Sequence, residues 1–545
     1  MITKPIAAAA ALAFLAACAT APPQSPTVEL HVLAINDFHG NLEPPNGGIT
    51  VIGEDGAVAR VPGGGAARVA TLVAQRRALF PHTIMVAAGD LIGASPMLSA
   101  LFHDEPTIES MNMMGLALSA VGNHEFDEGA GELRRMQTGG CHPVDGCDGP
   151  APFEGADFQY LAASTIVDAT GETLFPASAV RVVDGVRVGF IGLALEGTPQ
   201  VLTPSASAGL SFRDEAETIN AEAERLRTQG IEAIVVLIHE GGRRDPGTGD
   251  CPGLSGAIVG IVEALHPAVD VVIAGHTNAI HICRINGMLL TSAGQYGALL
   301  TDIALTLDRA SGDVAAAEAQ NLVVTEAIAE DPAQAAHIEA YRRLAAPMLN
   351  RRVGEIAAPL TRIAGPAGES ALGLVVADSM IPAAEAALGA RPDIAFMNPG
   401  GVRANLPNPG AVTFSDLFAV TPFGNDLVVL EMSGAEIEAA LNQQFRADRN
   451  IILQVSDGAS FRWRNTAGGA ALVPGSIRIG GAALEPQRSY RIVTNAFLAS
   501  GGDGFTAFQA GRNRTLVGGD LDALAAYVAA RSPLAAPSAP RAQLD

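Results

Sequence analysis

Residues of the types that bind metal ions stand at the ends of short apolar runs in the N-terminal part of the sequence. The residues in question are Asp37, His39, Asp90, Asn123, His239 and His276. The runs alternate with helix-like stretches such as 66–79 and 214–229, a pattern that predicts an α/β fold with buried strands. Because the carboxyl ends of neighbouring parallel strands meet at one edge of a sheet, we expect the six side chains to lie together.

Carboxylate, imidazole and amide donors in one cluster indicate a centre of two divalent ions. Taken singly, an Asp after a strand is more often a helix cap, and a lone His is more often a core or surface residue. Together they fit a shared carboxylate, predicted to be Asp90, with the other groups completing each shell. Two adjacent ions lower the pKa of a bound water and polarise phosphoryl oxygens, so the pattern predicts phosphate-ester hydrolysis. The donors suit Zn, Mn, Co or Fe without choosing among them.

The segments around these residues resemble the 5'-nucleotidase family, whose N-terminal domain is of the calcineurin-like metallophosphoesterase type. The resemblance is carried by NDFHGNLEP at 36–44, GD at 89–90, GNHEFD at 122–127, IH at 238–239 and GHTN at 275–278. The family includes periplasmic UDP-sugar hydrolases and 2',3'-cyclic-nucleotide phosphodiesterases. The resemblance implies an α/β protein of two domains, a four-layer α/β/β/α metallophosphoesterase domain and an α/β substrate-binding domain.

The resemblance also implies two ligand sets that share one residue. One ion would be held by Asp37, His39, Asp90 and Asn278, and the other by Asp90, Asn123, His239 and His276. Asn278 departs from the family, which usually has Gln or His there, and its shorter reach puts that ligand in doubt. His124 would stand outside the metal shells and stabilise the phosphoryl charge or protonate the leaving oxygen, with Asp127 orienting its imidazole.

Three segments in the second half offer groups suited to a nucleotide. Glycines in 398–403 allow close backbone approach, and an arginine there can pair with an anion. The aromatics of 421–425 and 494–505 could stack a base or simply belong to the core. The resemblance implies substrate contacts from Asn398, Gly400, Gly401, Arg403, Phe423, Asn425, Phe497 and Asp503. In that scheme the two phenylalanines stack the base, and Asp503 holds the ribose.

A second departure from the family concerns a side chain that contacts the substrate. Animal members of the family carry Arg and Asn where this sequence has Gly368 and Ala371. An arginine contact is therefore missing unless Arg362 supplies it, and cyclic nucleotides or dinucleotides stay open as substrates beside monophosphates.

The N-terminus has the pattern of an export signal. Lys4 precedes an apolar run at 6–17 that is too short for a permanent membrane span. The run ends in Leu-Ala-Ala-Cys, which resembles a lipoprotein processing box and implies cleavage before Cys18, lipid on its thiol and, with Ala19 next, outer-membrane sorting. The alternative is an ordinary cleaved signal. We predict a periplasmic protein that meets the membrane only through this lipid.

The sequence predicts the following divisions. They are a lipoprotein signal peptide at 1–17, a tether at 18–27, the metallophosphoesterase domain at 28–326, a linker helix at 327–352, the substrate-binding domain at 353–531 and a disordered tail at 532–545.

Four cysteines follow Cys18, and an even number in an exported chain predicts disulfides. The four cysteines can be joined in three ways, and the favoured scheme pairs Cys141 with Cys147 and Cys251 with Cys283. The alternative is free buried thiols.

The formal net charge of −23 disfavours binding to nucleic-acid polymers. The predicted function is therefore release of phosphate from a nucleotide or nucleotide derivative, and no oligomeric state is indicated. The alternatives are a 2',3'-cyclic-nucleotide phosphodiesterase, a UDP-sugar hydrolase, a sulfur-oxidation thiohydrolase of the same fold and a non-catalytic surface-binding module. The His124–Asp127 pair favours an enzyme over a binding module.

Overall fold

The computed structural model describes residues 25–45, 48–52, 58–203, 206–244, 253–446 and 449–545. The predicted signal peptide, Cys18, most of the tether and Cys251 lie outside the described residues.

Two six-stranded sheets form the N-terminal domain. In spatial order the first sheet contains Val314–Val323, Leu299–Asp308, Thr27–Ile35, Thr83–Ala87, Leu116–Ala120 and Gln159–Leu161. The second contains Ile280–Ile285, Met288–Ala293, Val271–Ala274, Ala233–His239, Val186–Ala194 and Ser178–Val183. The strands that end at the predicted ligands run parallel to their neighbours, and antiparallel strands complete each sheet.

The sheets are stacked face to face with helices outside them. Leu30, Val86 and Val235 belong to the apolar layer between the sheets, and all are buried. The helices of this domain are Ala66–Leu79, Met97–Ala100, Glu105–Met114, Gly129–Thr138, Glu215–Thr228, Ala257–Ala264 and Pro332–Leu349. Separate apolar clusters join these helices to the outer faces of the two sheets. The predicted α/β/β/α order is confirmed.

The helix Pro332–Leu349 lies within the predicted linker and packs on the N-terminal domain. Its first turn is capped by Asp331, whose carboxylate accepts two backbone N–H groups. Gln334 accepts a hydrogen bond from Ser110 at 2.8 Å, and the buried ring of Tyr341 packs edge-on against Phe102. This helix therefore extends the helical layer of the first domain.

Two five-stranded sheets form most of the C-terminal domain. The first contains Gln454–Val455, Ile394–Met397, Ser489–Asn495, Asp426–Ser433 and Arg512–Gly519. The second contains Gly469–Leu472, Ala459–Thr466, Arg478–Ile479, Ala482–Ala483 and Ala542–Leu544. The helices are Ala371–Leu388, Phe414–Val420, Gly434–Asn442, Ala496–Ala499 and Asp520–Ala530. Among the described helices, only the first has the length and apolarity of a membrane span, and it is largely buried in the domain core.

Short elements complete the chain. The two-stranded pairs are Ile49–Ile52 with Val58–Val61, Thr165–Val167 with Leu210–Phe212, Arg243–Arg244 with Leu254–Ser255, and Arg352–Ile356 with Gly410–Thr413. Single 3-10 turns lie at His124–Phe126, Thr198–Gln200, Pro399–Gly401, Gly502–Gly504 and Thr506–Ala510.

The C-terminal tail differs from the prediction, because it is ordered. The strand Ala542–Leu544 pairs in parallel with Ala459–Thr466. Arg541 is 6% exposed and donates two hydrogen bonds to the carboxylate of Asp378, at 2.7 and 2.8 Å. Composition predicted disorder, but one buried ion pair and a strand pairing hold this segment against the domain.

The disulfide Cys141–Cys147 is present, as predicted. Cys283 is also disulfide-bonded, while its predicted partner, Cys251, is not among the described residues.

Candidate active site

Five strand ends meet where the two sheets face each other. Asp37 N donates to Gly89 O at 3.1 Å, which ties two loops of the first sheet together. His239 Nδ1 lies 2.8 Å from the carbonyl oxygen of Ala88 and joins the second sheet to the first. Left-handed backbone angles occur at Asp37, His39, Asp90, His276 and Asn278. Such angles are costly for residues with side chains and cluster at functional sites.

One half of the site gathers around Asp37 and His39. His39 Nε2 lies 3.9 Å from Asp37 Oδ1 and 3.6 Å from Asp90 Oδ2. The other ring nitrogen of His39, Nδ1, lies 2.9 Å from Gly93 O. That contact leaves Nε2 directed at the two carboxylates, which is the arrangement a metal-binding imidazole needs.

The other half gathers around His239 and His276. His239 Nε2 lies 3.0 Å from Asp90 Oδ2 and 3.2 Å from Asn123 Oδ1. His276 Nδ1 lies 2.9 Å from the same amide oxygen. A single amide oxygen thus faces two imidazoles, and the Asp90 carboxylate lies between this half and the first.

Asp90 is held so that one oxygen serves both halves. Its Oδ1 accepts the backbone N–H of His124 at 2.9 Å, while Oδ2 faces His39 and His239. Its own amide donates to Glu125 at 2.9 Å. Asp90 therefore lies between the two groups of donors, and its bridging role stays a prediction.

The ligand residues differ in how far their protonation states suit cation binding. Although burial opposes ionisation, the surrounding imidazoles, led by His239, hold the pKa of Asp90 well below its ordinary value. Burial lowers the pKa of His39 and of His276 to about 3, which keeps both rings neutral. Burial raises the pKa of Asp37 to about 7, with the charge of Asp90 acting in the same direction. Burial lowers the pKa of His239, but the charge of Asp90 and its hydrogen bond outweigh this and raise that pKa to about 10. Because anionic carboxylates and neutral imidazoles are the forms that coordinate metal ions, a bound cation must displace the protons of His239 and Asp37.

Two unpaired buried oxygens are a further sign that the donor set fits two divalent ions. Asp37 Oδ1 and Asn278 Oδ1 are buried and have no hydrogen-bond partner within the described part of the chain. An unpaired buried oxygen costs free energy unless some group satisfies it, and a cation would do so. The free amide oxygen of Asn278 is therefore consistent with a ligand at the position where the family usually has Gln or His.

His124 and Asp127 form a pair beside the ligands. His124 Nδ1 lies 2.9 Å from Asp127 Oδ2. Burial lowers the pKa of His124, but the charges of Asp127 and Asp90 outweigh it and raise that pKa overall. The imidazole of His124 meets that of His39 edge-on, with ring centroids 5.0 Å apart. This pair can hold a proton next to the ligand cluster.

The C-terminal domain places Phe423 and Arg403 next to His124. The ring of Phe423 stacks on His124, with centroids 5.7 Å apart and planes at 19°. The guanidinium of Arg403 lies 5.7 Å from the Phe423 centroid, and its Nε is buried without a partner within the described residues. An aromatic face and a guanidinium whose Nε has no partner within the described residues thus lie beside the ligand cluster from the second domain.

Asn398 and Asp503 form a polar unit with the glycine turn. Asn398 Nδ2 donates to Asp503 Oδ2 at 2.8 Å, and burial raises the pKa of this carboxyl. A Cβ on Gly401 would lie 2.9 Å from Asn398 Oδ1, and one on Gly400 would lie 3.5 Å from Asp503 Oδ2. Gly401 therefore leaves room for Asn398, whereas a side chain on Gly400 would only make an ordinary van der Waals contact with Asp503.

Phe497 and Asn425 make other contacts. The Phe497 ring lies over Gly502, where an added Cβ would come within 2.6 Å of it. No ring contact joins Phe497 to Phe423 among the residues described. Asn425 hydrogen-bonds to Asp520, whose pKa burial raises to about 7.

The local structure explains why residue 368 is not an arginine. Gly368 has φ +89°, and an added Cβ would lie 2.3 Å from Ile452 Cγ1. A side chain is excluded by both angle and space. Arg362 instead lies beside Arg403 and donates to its carbonyl oxygen at 3.1 Å.

Three supporting residues were not assigned from the sequence. Glu125 accepts the amides of Asp90, Leu91 and Gly122. Asn36 donates to Asp37 Oδ2 at 2.7 Å, and Tyr296 donates its amide to Asp37 O at 2.8 Å. Glu125 and Asn36 lie inside the recognised motifs, which is the signal that could have identified them, whereas nothing in the sequence marks Tyr296.

Comparisons with known proteins agree with this geometry. Residues 352–510 match the family model described as 5'-nucleotidase, C-terminal domain. A solved structure of a 5'-nucleotidase precursor from Thermus thermophilus superposes with a TM-score of 0.77 at 25% identity, over 95% of this chain and 99% of that one. The Thermus sulfate thiohydrolase SoxB superposes with a TM-score of 0.70 at 18% identity, over 96% and 98% of the two chains, a likeness of fold alone.

Two relatives define the sequence relationship. The cell wall protein Lmo0130 of Listeria monocytogenes is 32% identical over 543 residues, covering 93% of this chain and 68% of that protein. The endonuclease YhcR of Bacillus subtilis is 30% identical over 491 residues, covering 88% of this chain, but the chain spans only 38% of the length of YhcR. The chain therefore belongs to the 5'-nucleotidase family of phosphoester hydrolases, as its motifs predicted.

Proposed function

We propose that this chain is an exported hydrolase that releases phosphate from nucleotides at a centre of two divalent ions. The observation that carries the proposal is the position of Asp90, whose Oδ2 faces His39 at 3.6 Å and His239 at 3.0 Å. A carboxylate shared by two sets of imidazole, carboxylate and amide donors is suited to hold a pair of ions.

The ligand roles follow the two halves of the site. One ion would be held by Asp37, His39, Asp90 and Asn278, and the other by Asp90, Asn123, His239 and His276. When bound, the ions would activate a water for in-line attack and polarise the phosphoryl oxygens. Their identity is not assigned by these donors, which suit Zn, Mn, Co or Fe.

We assign the donation of a proton in the reaction to His124. Although burial opposes it, the charges of Asp127 and Asp90 raise the pKa of His124, which favours the protonated ring, and Asp127 holds Nδ1. The other ring nitrogen, Nε2, can then donate to a phosphoryl oxygen or to the leaving oxygen.

The C-terminal domain supplies the nucleotide contacts. Phe423 offers an aromatic face beside His124, and Arg403 offers a guanidinium, with its Nε unpaired within the described residues, for an anionic phosphate. Asp503, with Asn398, is placed to hold the ribose. Phe497 is assigned to the other face of the base, which requires that it leave its contact with Gly502.

Export is supported by the N-terminal pattern that ends at Cys18, by the Cys141–Cys147 disulfide and by the relative Lmo0130, a cell wall protein. We assign the chain to the periplasmic side of the outer membrane, attached through lipid on Cys18.

The test is phosphate release from a panel of mono-, di-, cyclic and sugar nucleotides, with Mn, Co or Zn supplied and then removed with EDTA. We expect metal-dependent release that EDTA suppresses. Asp90→Asn should abolish it, whereas Asp168→Asn, at an exposed carboxylate, should not. A metal-loaded protein that releases phosphate from none of these nucleotides would overturn the proposal.

A further inference from the structure

A second group of metal-binding side chains lies outside the site at Asp90. His103 stands just before helix Glu105–Met114, and His142 and Asp145 lie in the hairpin closed by the Cys141–Cys147 disulfide. The rings of His103 and His142 stack, with centroids 3.8 Å apart and planes at 14°. Two separate parts of the chain therefore present their imidazoles side by side.

Three donor atoms converge at one edge of the stacked rings. Asp145 Oδ2 lies 3.0 Å from His103 Nε2 and 3.2 Å from His142 Nδ1, and all three atoms lie within 4.8 Å of one another. Ligands that bind zinc tetrahedrally at about 2.0–2.1 Å are separated from each other by roughly 3.3 Å. The observed spacing is thus close to that of a coordination shell. Because the two rings are stacked, their in-plane lone pairs are nearly parallel, so one imidazole must tilt for an ion to lie in the plane of both rings.

A carboxylate on the opposite edge orients one imidazole. Glu128 Oε2 lies 2.9 Å from His103 Nδ1. With its proton on Nδ1, His103 directs the lone pair of Nε2 towards Asp145. Metal-binding histidines commonly have this carboxylate partner on the second nitrogen. Glu132, which also lies close by, is engaged with Arg135.

The backbone that presents His103 is held in an unfavourable conformation. His103 and Asp104 have φ of 50° and 62°. The turn is kept in place because Asp104 accepts hydrogen bonds from Gly93 N at 3.0 Å and from Ser99 Oγ at 2.5 Å. On the other side, the disulfide and two backbone hydrogen bonds between His142 and Gly146 fix the hairpin. Both sides of the group are therefore preorganised.

We propose that His103, His142 and Asp145 bind a divalent transition-metal ion of the zinc class, separately from the site at Asp90. Two imidazoles and one carboxylate favour Zn, Cu or Ni over Ca or Mg, and a fourth position is open to water. His142 Nδ1 also accepts the amide of Asp145 at 3.1 Å, a hydrogen bond that the ion would replace. The bound ion would fasten the disulfide hairpin to the turn before helix Glu105–Met114.

The charge around the group favours a cation but also attracts a proton. The hydrogen bonds to Glu128 and Asp145, together with the charges of Glu128 and Glu132, raise the pKa of His103 to about 9. An ion must displace that proton, so the binding experiment belongs at pH 8 or above.

The experiment measures zinc per chain in the full-length protein by mass spectrometry, after equilibration with excess zinc and removal of free ions. We expect His142→Gln and Asp145→Asn each to bind one zinc ion fewer than the wild type. The matched control is His266→Gln, at an exposed histidine elsewhere, and it should retain the wild-type content. Equal zinc in the wild type and in folded Asp145→Asn would overturn the proposal.

A second measurement separates this site from the one at Asp90. In the Asp90→Asn background, calorimetric titration gives the number of zinc ions bound per chain, and adding His142→Gln should lower that number by one. The same number in Asp90→Asn and in the double variant would refute the assignment, whatever the residual ligands around residue 90 bind. Circular dichroism of each variant checks that the hairpin substitutions leave the fold intact.

Discussion

At the scale of single residues, the geometry of the candidate active site depends on which partner each polar atom contacts. Asp90 gives one oxygen to the amide of His124 and keeps the other for the ligand cluster. His39 and His239 each place one nitrogen against a backbone carbonyl, which leaves the other nitrogen for the cluster. Glu125 holds the loops together through three amides rather than by touching the cluster. The ligands are thus oriented before any ion arrives.

At this scale we expect His124→Ala to keep the bound metals and to lose roughly 10²–10⁴ of the rate of phosphate release. The side chain of His124 is engaged with Asp127, and its amide, which anchors Asp90, is retained in the variant. Metal content and turnover are measured on the same sample, with His266→Gln as the control. Loss of metal in His124→Ala would mean that this imidazole is itself a ligand.

At the scale of elements, parallel strands explain why distant motifs meet. The strands Thr27–Ile35, Thr83–Ala87 and Leu116–Ala120 are neighbours in one sheet, so the residues after them share one edge. Ala233–His239 and Val271–Ala274 do the same in the second sheet. The C-terminal tail shows the opposite case, a segment of poor strand-forming composition that is held by Arg541 and a short strand pairing.

We expect Arg541→Ala to lower the free energy of unfolding by about 3–5 kcal/mol, because it leaves the Asp378 carboxylate buried and unpaired. Arg462→Ala, which breaks an exposed ion pair with Asp545 on the same tail, should cost no more than about 1 kcal/mol. Chemical denaturation of both variants compares the two costs. Similar values for the two would show that the tail is held by strand pairing alone.

At the scale of the whole molecule, the site is built from both domains. His124 belongs to the first domain, while the aromatic ring and the guanidinium beside it belong to the second. The net charge of −23 is carried by the whole chain, so Arg403 stands out as a local cation for an anionic substrate. Stability across pH is a property of the same scale, since buried carboxyl groups far from the site contribute to it.

Asp270 gives a pH dependence of stability that can be measured. Burial raises its pKa in the folded chain to about 7, with Asp313 adding to the shift, against about 4 when unfolded. Its contribution to stability is therefore complete below about pH 4 and is lost as the pH rises through about 7. We expect the wild type to lose on the order of 1–3 kcal/mol from this group between pH 4 and pH 8.

Asp270→Asn should remove that part of the pH dependence, and Asp168→Asn, at an exposed carboxylate, should leave it unchanged. Denaturation curves at several pH values between 4 and 8 provide the comparison. The same slope in Asp270→Asn and in the wild type would contradict the assigned pKa.

The sequence by itself determined the family, the two domains and the layered α/β fold. Apolar periodicity indicates the alternating α/β pattern, whereas the family and its layered two-domain architecture follow from the resemblance carried by motifs such as the turn with Asn123, His124 and Asp127. Chain-local patterns also located the Cys141–Cys147 disulfide, because the loop that it closes is short.

Only the tertiary structure decided which groups from distant segments meet. Gly368 is forced by its backbone angle and by Ile452, a residue far along the chain. Phe423 packs on His124 while Phe497 packs on Gly502, a difference that no local pattern encodes. Arg541 forms an ion pair with Asp378, and this pair helps to hold in place a tail whose composition predicts disorder. In each case the deciding interaction joins residues that the fold brings together, and local sequence carries no record of such long-range contacts.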